Sequence, residues 1–492
     1  MTPMKQKDHY SLALSILGLS VFTSSLTQAA ELSFVQAEQH LLQNSYSSQA
    51  FQKLEQASQL EAEAAKGLGL PRVDLNVRAY AFRNEVDIPL DQFKSNLETT
   101  LSQGINGQIN QWESNNGLTP GITNPLQNGI NNTIHSGIGL IPDSSNVILE
   151  DQVIRPTLSV MMPLYTGGLT TTAKQIANIE AGRGQLNNKQ QQDTQRFELI
   201  QAYFNVQLQQ QLYDANLFNL NAMQKHLSNA LKLEQQGFIS KGQRMQFEVA
   251  KNNAERRFNS SETNLSAASF NLKNLLQDND ITALTSPLFI NLEQPNNLDQ
   301  LLASFSSQST LIQKLKMDTE LAKANVKAQE AAKKPNVFAF GEYSLDEDQN
   351  WIVGIAARYN LFSGLDKNKN IQAAQLKQSA AELTTARSEQ ELVSLIYKSY
   401  SEAVNAQQND LLLQKNVNAA IENLRIQELS FKEDMGTASQ VIDAQNILSE
   451  LKAETALNAY KYILSLATLL QSHGSIAEFP QYMQQTTTRF IR

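Results

Sequence analysis

Residues 163–169 read Pro-Leu-Tyr-Thr-Gly-Gly-Leu, and the pattern returns at residues 360–366 as Asn-Leu-Phe-Ser-Gly-Leu-Asp. The separation between the two copies equals the separation between Tyr203 and Tyr400. Each copy follows a stretch with strand-like alternation and precedes a long segment with the composition of a helix. The shared separation indicates an internal duplication in which strands lead into long helices.

Two long proline-free segments follow these copies, and proline is the strongest helix breaker. We predict long helices over residues 170–236 and 366–432, each on the order of 100 Å at about 1.5 Å per residue. Helices of this length favour extended coiled-coil hairpins over ordinary core helices. The partner and shorter helices are predicted at 244–277, 440–471, 32–66 and 298–334.

The helices are expected to reverse direction at two glycine-containing turns, because glycine can end a helix in a left-handed conformation. These turns contain Gly237, Phe238, Ile239, Ser240, Gly242, Gly436, Thr437 and Ala438.

Four stretches alternate between apolar and polar residues with the period of a β-strand. They span about residues 72–83, 154–166, 336–345 and 350–362. Their lengths fit tilted strands that cross a bilayer, although a soluble sheet would alternate in the same way. Because four strands cannot close a barrel and open edges cannot face lipid, several subunits would have to share one.

The strand pattern also separates two sets of side chains. Asp74, Arg78 and Arg358 lie on the polar side and are expected to face an aqueous lumen. The candidate aromatic residues at the membrane interface are Trp351, Tyr359 and Phe362.

The ends of the chain and its composition limit the possible functions. Residues 1–30 have the charged start, apolar stretch and small residues of a secretory signal peptide, with cleavage after Ala29 or Ala30. Without cysteine, an exported chain cannot rely on disulfides or thiolate metal sites. A net charge of −8 argues against a nucleic-acid partner. Residues 278–297 are predicted to form an equatorial linker, and residues 473–492 a C-terminal tail.

Residues 88–150 separate the first two strands and are rich in Asn and Gly. Apolar residues from Phe93 to Trp112 recur every three or four positions, which suggests an amphipathic helix that Gly104 and Gly107 would weaken. If the strands share a membrane barrel, the segment is an extracellular loop insertion. It either caps or constricts the outer mouth of a barrel or extends the barrel above the membrane.

Motifs for catalysis and for cofactor binding are not found. The five histidines are scattered without metal-ligand spacing, and no phosphate-binding loop, metalloprotease or nucleophile-elbow motif is present. We therefore expect no catalytic, cofactor-binding or metal site, and no enzyme activity.

The signal peptide, the duplicated strand-strand-helix-turn-helix plan and the motif at residues 163–168 together resemble the TolC-like outer-membrane efflux proteins. The resemblance covers roughly residues 31–475 and includes Gly436-Thr-Ala-Ser-Gln-Val-Ile-Asp-Ala-Gln445. It implies a mainly α fold with membrane β-structure. In that fold, three chains share a twelve-stranded outer-membrane barrel, and their long helical hairpins continue it as a helical barrel through the periplasm.

The resemblance also implies partners and a location. It implies a homotrimer in the outer-membrane lipid of a Gram-negative bacterium that projects into the periplasm. A periplasmic adaptor protein and an inner-membrane transporter, of the resistance-nodulation-division, ABC or a similar class, would complete an efflux pump or a type I secretion system. The chain itself would be a passive exit duct.

Specific residues follow from the same resemblance. Asp443 resembles an acidic gate residue, although Gln440 stands where some members carry a second aspartate. Alternatively, Asp443 is a solvated residue in the first turn of a helix, favoured there by the helix dipole. The strand-to-helix junctions contain Pro163, Gly167, Gly168 and Gly364.

Two other classes of function stay open at this stage. A periplasmic coiled-coil scaffold without a membrane barrel would need the long helices but not the four strands. A secreted enzyme fits the sequence less well. The sequence does not identify the cargo, which could be a drug, a metal or a polypeptide.

Overall fold

The computed structural model describes residues 30–80, 88–116, 120–141, 144–145, 153–293, 295, 297–347, 349–362, 364–433 and 435–491. The first 29 residues of the predicted signal peptide lie outside the described residues. In the described part of the chain, no helix combines the length and the apolar composition needed to cross a membrane.

Helices make up most of the described residues. In chain order they are α1 (Phe34–Asn44), α2 (Tyr46–Ala65), α3 (Asp91–Asn116), α4 (Pro120–Ile138), α5 (Leu169–Gln235), α6 (Lys241–Leu276), α7 (Leu298–Gln308), α8 (Thr310–Ala331), α9 (Lys367–Lys432), α10 (Ala438–His473) and α11 (Phe479–Met483). The strands are β1 (Ala30–Leu32), β2 (Arg72–Tyr80), β3 (Ile88–Pro89), β4 (Ser144–Ser145), β5 (Val153–Tyr165), β6 (Ile281–Leu284), β7 (Leu288–Asn291), β8 (Asn336–Ser344), β9 (Trp351–Arg358) and β10 (Thr488–Ile491).

Each of the two longest helices, α5 and α9, has a shorter helix alongside each of its halves. In the first repeat, α2 packs along the early part of α5, where Ser48 Oγ donates to Gln195 Oε1 at 2.6 Å, and α6 packs along the later part. In the second repeat, α8 and α10 take the same places beside α9. The two repeats also meet, since Ser449 Oγ in α10 donates to the carbonyl of Ala215 at 3.1 Å.

The partner helices begin earlier than the sequence predicted, at Lys241 and Ala438 instead of residues 244 and 440. Each start is fixed by a capping box, in which a hydroxyl residue and the glutamine three positions later satisfy each other's free backbone N–H groups. Ser240 pairs with Gln243 in this way, and Thr437 pairs with Gln440.

A four-stranded antiparallel sheet lies at one end of the helices, in the order β2-β5-β8-β9. The prediction of a mainly α fold with long helical hairpins and four such strands is confirmed. The trimer and the twelve-stranded barrel stay predictions. The last strand ends at Arg358 and not at residue 362, because Arg358 pairs with Asn336, the first residue of β8. Pro335 precedes that residue and has no N–H to continue the ladder.

The largest hydrophobic core lies near the middle of the long helices. Its aromatic centre contains Phe34, Tyr203, Phe204, Phe289 and Phe479, with ring centroids 5.3 to 5.9 Å apart where they touch. Burial raises the pKa of the Tyr203 hydroxyl. It stays neutral and donates to the carbonyl of Leu32 at 2.7 Å.

Both the predicted linker and the predicted tail belong to this core. The linker, residues 278–297, contains β6 and β7, which pair with β1 and β10 respectively. In the tail, β10 is antiparallel to β7 and brings Ile491 into the core. Arg489 in β10 forms a bidentate ion pair with Asp410 of α9, whose side chain is fully buried.

Candidate functional site

The sheet has one apolar and one polar face, because paired residues in neighbouring strands project to the same side. The apolar face is exposed to solvent. The exposed fractions of the side chains there are high, at 64% for Leu75, 71% for Val353 and 70% for Ile355. Its other exposed large side chains are Val73, Val77, Ile154, Leu158, Leu164, Tyr343 and Trp351. An apolar sheet face of this size needs an apolar neighbour such as lipid.

The polar face contains the three residues that were expected to face a lumen. Asp74 forms an ion pair with Arg72 at 2.9 Å, and the guanidinium of Arg78 lies 3.5 Å from Glu342. Arg358 donates to the carbonyl of Asn132 in α4. The structure therefore places Asp74, Arg78 and Arg358 on one face, against protein groups.

Two of the three predicted interface aromatics lie at opposite ends of β9. Trp351 is the first residue of the strand and keeps 72% of its surface exposed. Tyr359 follows the last residue of the strand and is also exposed, as is Phe362. The exposed apolar side chains of β9, Val353 and Ile355, lie between Trp351 and Tyr359, as expected for residues at the two membrane interfaces. Contact of these aromatic residues with a membrane stays a prediction.

The described part of the segment 88–150 is largely a helical hairpin of α3 and α4 that lies on the polar face of the sheet. Near the C-terminal end of β2, the Arg78 guanidinium lies 3.0 Å from the centre of the Phe93 ring. Leu101 and Ile138 then pack with Met161 of β5. The described helices of the hairpin thus follow the polar face of the sheet, and the roles of the segment as a cap or as an extension of the barrel stay predictions.

The other end of the hairpin reaches the strand-to-helix junction. Ile109 and Leu126 pack against Leu169 and Ala173 of α5, and against Ala328 and Ala331 of α8. Gly129 and Gly137 allow this close approach. A Cβ atom at Gly129 would lie 2.6 Å from Leu169, and one at Gly137 would lie 2.3 Å from the Phe338 ring.

The junctions between strands and helices use left-handed glycines. In the first copy of the motif, Pro163 lies in β5, and Gly167 and Gly168 have φ angles of +66° and +99°. Gly168 is also the N-cap of α5. In the second copy, Gly364 has a φ of +72°, and Asp366 caps α9 by accepting from the N–H groups of Asn368 and Lys369. Both copies thus turn the chain sharply into a long helix.

The first helix turn closes α5 with a Schellman motif. Gly237 has a φ of +79°, and Phe238 N donates to the carbonyl of Leu233 at 2.9 Å. Phe238 keeps 69% of its surface exposed at the end of the hairpin, whereas Ile239 packs against the cluster that includes Phe247. The other residues of this turn, Ser240 and Gly242, lie at the start of α6, where Ser240 is the N-cap.

The second turn differs in the role of its glycine. Gly436 has no left-handed conformation, but a Cβ atom there would lie 3.1 Å from the backbone nitrogen of Phe431. Ala438 is fully buried in the cluster that also holds Phe247 and Val441, so the two turns pack together. Thr437 N donates to Gln440 Oε1 at 2.7 Å, and the amide of Gln440 is therefore used as a helix cap.

Asp443 lies one turn after Gln440 on the exposed side of α10. Its carboxylate accepts from Ser439 Oγ at 3.3 Å and is otherwise open to solvent. One chain cannot bring three copies of a residue around an axis, so the gate assignment of Asp443 and Gln440 stays a prediction.

Sequence reasoning did not identify the contact between the hairpin and the sheet. Gly129 and Gly137 are about two turns apart on α4, and glycines at such a spacing can mark a face that another element approaches closely. That signal was present in the sequence, but it does not say which element approaches.

No family model and no curated protein sequence matches the chain. The fold, in contrast, is similar to solved outer-membrane proteins. The outer membrane protein VceC from Vibrio cholerae is 14% identical, with a TM-score of 0.68 over 90% of this chain and 96% of that one. The CmeC outer membrane channel of Campylobacter jejuni is 10% identical, with a TM-score of 0.69 over 92% and 89%.

A third similar structure is the open state of the MtrE outer membrane channel of Neisseria gonorrhoeae. It is 13% identical, with a TM-score of 0.67 over 97% of this chain and 98% of that one. The CmeC and MtrE structures are outer membrane channels. Since the similarity covers the helical hairpins and the sheet together, the chain has the fold of the TolC-like outer-membrane channels.

Proposed function

We propose that the chain is a subunit of a trimeric export channel in the outer membrane of a Gram-negative bacterium. The main support for this proposal is the exposed apolar face of the four-stranded sheet, because such a face requires a lipid neighbour. The opposite face of the sheet is polar, as the lumen side of a membrane barrel is. Three such sheets would close a twelve-stranded barrel with no open edge in lipid. The long hairpins would continue the passage into the periplasm.

The channel would act without enzyme chemistry, as the passive exit duct of a tripartite efflux pump or a type I secretion system. The joined turns around Ile239 and Ala438 would form the periplasmic tip, and exposed Phe238 would be available to a periplasmic adaptor protein. An inner-membrane transporter would supply the energy. A periplasmic scaffold would share the helices, but a large exposed apolar sheet face would be a liability in water.

Location and assembly test this proposal directly. We expect the chain in the outer-membrane fraction, as a trimer that survives mild detergent, and we expect the purified trimer to conduct ions across planar lipid bilayers. Recovery as a soluble monomer in the periplasmic extract would refute the channel and favour the scaffold.

Neutralising Asp443 is expected to change the ion preference of the channel. Three carboxylates near one axis would attract cations, so Asp443→Asn should lower the cation-to-anion permeability ratio by roughly two-fold or more. The measurement is the reversal potential under a salt gradient across a planar bilayer. Glu454→Gln, an exposed acidic residue further along α10, is the matched control and should leave the ratio unchanged. Equal ratios in all three proteins would remove Asp443 from the gate.

A further inference from the structure

The helical hairpin α3–α4 covers the face of the sheet that a membrane barrel turns inward. In such a barrel the apolar face contacts lipid and the polar face surrounds the lumen. Here the apolar face is the exposed one, and the hairpin contacts Arg78, Met161, Phe338 and Arg358 on the opposite face. On closure of the proposed barrel, the hairpin would therefore be enclosed within it.

The hairpin is long enough to run through the whole barrel. Helix α3 has 26 residues, which is about 39 Å at 1.5 Å per residue, whereas the hydrocarbon core of a bilayer is about 30 Å thick. Its contacts agree with this length. The contacts of the hairpin run from Arg78, near the C-terminal end of β2, to Leu169, the first residue of α5.

Three hairpins would fill most of a shared barrel. Eight strands enclose only side chains, and 16 to 18 strands leave an aqueous channel, so a twelve-stranded barrel has an intermediate lumen. Six helices, each about 10 Å wide, would take up most of that space.

The side of the hairpin away from the sheet is polar and almost free of charge. Its exposed side chains are mainly amides and hydroxyls, and they include Gln92, Ser95, Asn96, Thr99, Thr100, Gln103, Gln108, Asn110, Asn124, Asn128 and Asn132. Such a surface tolerates water, so the exposed side of the hairpin can border a water-filled passage.

On these grounds, and resting on the proposed channel function, we propose that the hairpin is an internal plug. It occupies the barrel in the closed channel, and conduction requires it to move away from the polar face of the sheet. The plug acts within the membrane section of the channel and is separate from the periplasmic gate predicted at Asp443.

A reversible cross-link between plug and sheet tests this proposal, and the absence of native cysteines removes background reactions. Leu101 in α3 and Met161 in β5 border the same cavity of about 30 Å³. In the Leu101→Cys/Met161→Cys protein, a short bis-methanethiosulfonate forms a disulfide with each cysteine and releases two methanesulfinate ions. This cross-link should lower the bilayer current roughly ten-fold, and a reductant that cleaves both disulfides should restore it. Each single-cysteine variant should keep its current under the same treatment.

A matched pair of glycine substitutions provides a second measurement. Gly137→Ala puts a Cβ atom 2.3 Å from the buried Phe338 ring and should loosen the plug. The fraction of time that the channel is open in bilayer recordings should therefore rise. Gly107→Ala lies in the same hairpin, with no neighbouring atom within 4 Å, and should leave the open fraction unchanged.

The outcomes separate this inference from the proposed function. A failure of the two cysteines to cross-link, or a cross-linked channel that conducts normally, would overturn the plug while leaving the channel intact. A wild-type protein that forms no channels in any preparation would instead refute the proposed function.

Discussion

Arg489→Ala is expected to release the C-terminal segment and to destabilise the protein by about 3–5 kcal/mol, because the substitution leaves the carboxylate of Asp410 buried without its cation. The Asp410 side chain has no exposed surface, and Arg489 Nε donates to its Oδ2 at 2.9 Å. Gln414 also donates to this carboxylate at 2.8 Å, but an amide cannot replace the lost charge.

The released segment would include β10, whose pairing with β7 holds Ile491 in the core. Separation of β10 would allow water to reach Asp410, so part of the loss should appear as local opening. Two measurements follow the change: urea unfolding of the detergent-solubilised protein and the rate at which carboxypeptidase trims the C-terminus. Both should respond together.

Arg425→Ala is the matched control for this prediction. Arg425 forms a similar two-pronged contact with Glu422, at 2.9 and 2.7 Å, but both side chains are more than half exposed. Exposed pairs contribute roughly 0–1 kcal/mol, so this substitution should have little effect. If both alanine variants lose the same small amount of stability, then burial of Asp410 is not what makes the pair with Arg489 important.

Gly167→Val is expected to disrupt the first strand-to-helix junction, at a cost of roughly 3 kcal/mol or more. The φ of +66° is unfavourable for a β-branched residue. In addition, a Cβ atom there would lie 2.7 Å from the carbonyl oxygen of Ala331 and 2.8 Å from Lys334 Cβ. A backbone oxygen cannot move away by changing rotamer, so the sheet or α8 would have to shift.

The controls for this prediction are Gly168→Asn and Gly364→Asn. Both glycines also have positive φ angles, but neither position has a neighbouring atom within 4 Å, and asparagine tolerates this conformation. We expect both variants to assemble at close to the wild-type level, and Gly167→Val to give a much smaller yield of detergent-stable assembly. Normal assembly of the valine variant would show that the close approach at this junction is not needed.

The long helices could be predicted from the sequence because their signals are local. Proline is absent from both segments. Ser240 and Thr437 each precede a glutamine by three residues, which is the sequence pattern of a capping box at the start of a helix. The four strands of the sheet could be predicted for the same reason, since alternation places Leu75 and Val353 on one side of their strands and Asp74 on the other.

The position of the hairpin could not be predicted, because its contacts join residues that are far apart in the chain. Phe338 and Gly137 are 201 residues apart in the chain, and no local pattern relates them. The sequence indicated an amphipathic helix near Phe93, but an apolar helix face does not identify its partner.

The sequence by itself determined the duplicated plan, the helix and strand types, and the sharp glycine junctions at residues 163–168 and 360–364, because each depends on neighbours a few residues away. The tertiary structure decided which face of the sheet is covered, that the C-terminal tail belongs to the core through Arg489 and Asp410, and that the insertion lies along the sheet. These features depend on burial and close approach between segments that are distant in the chain. The packing energy of such contacts exists only when the chain has folded.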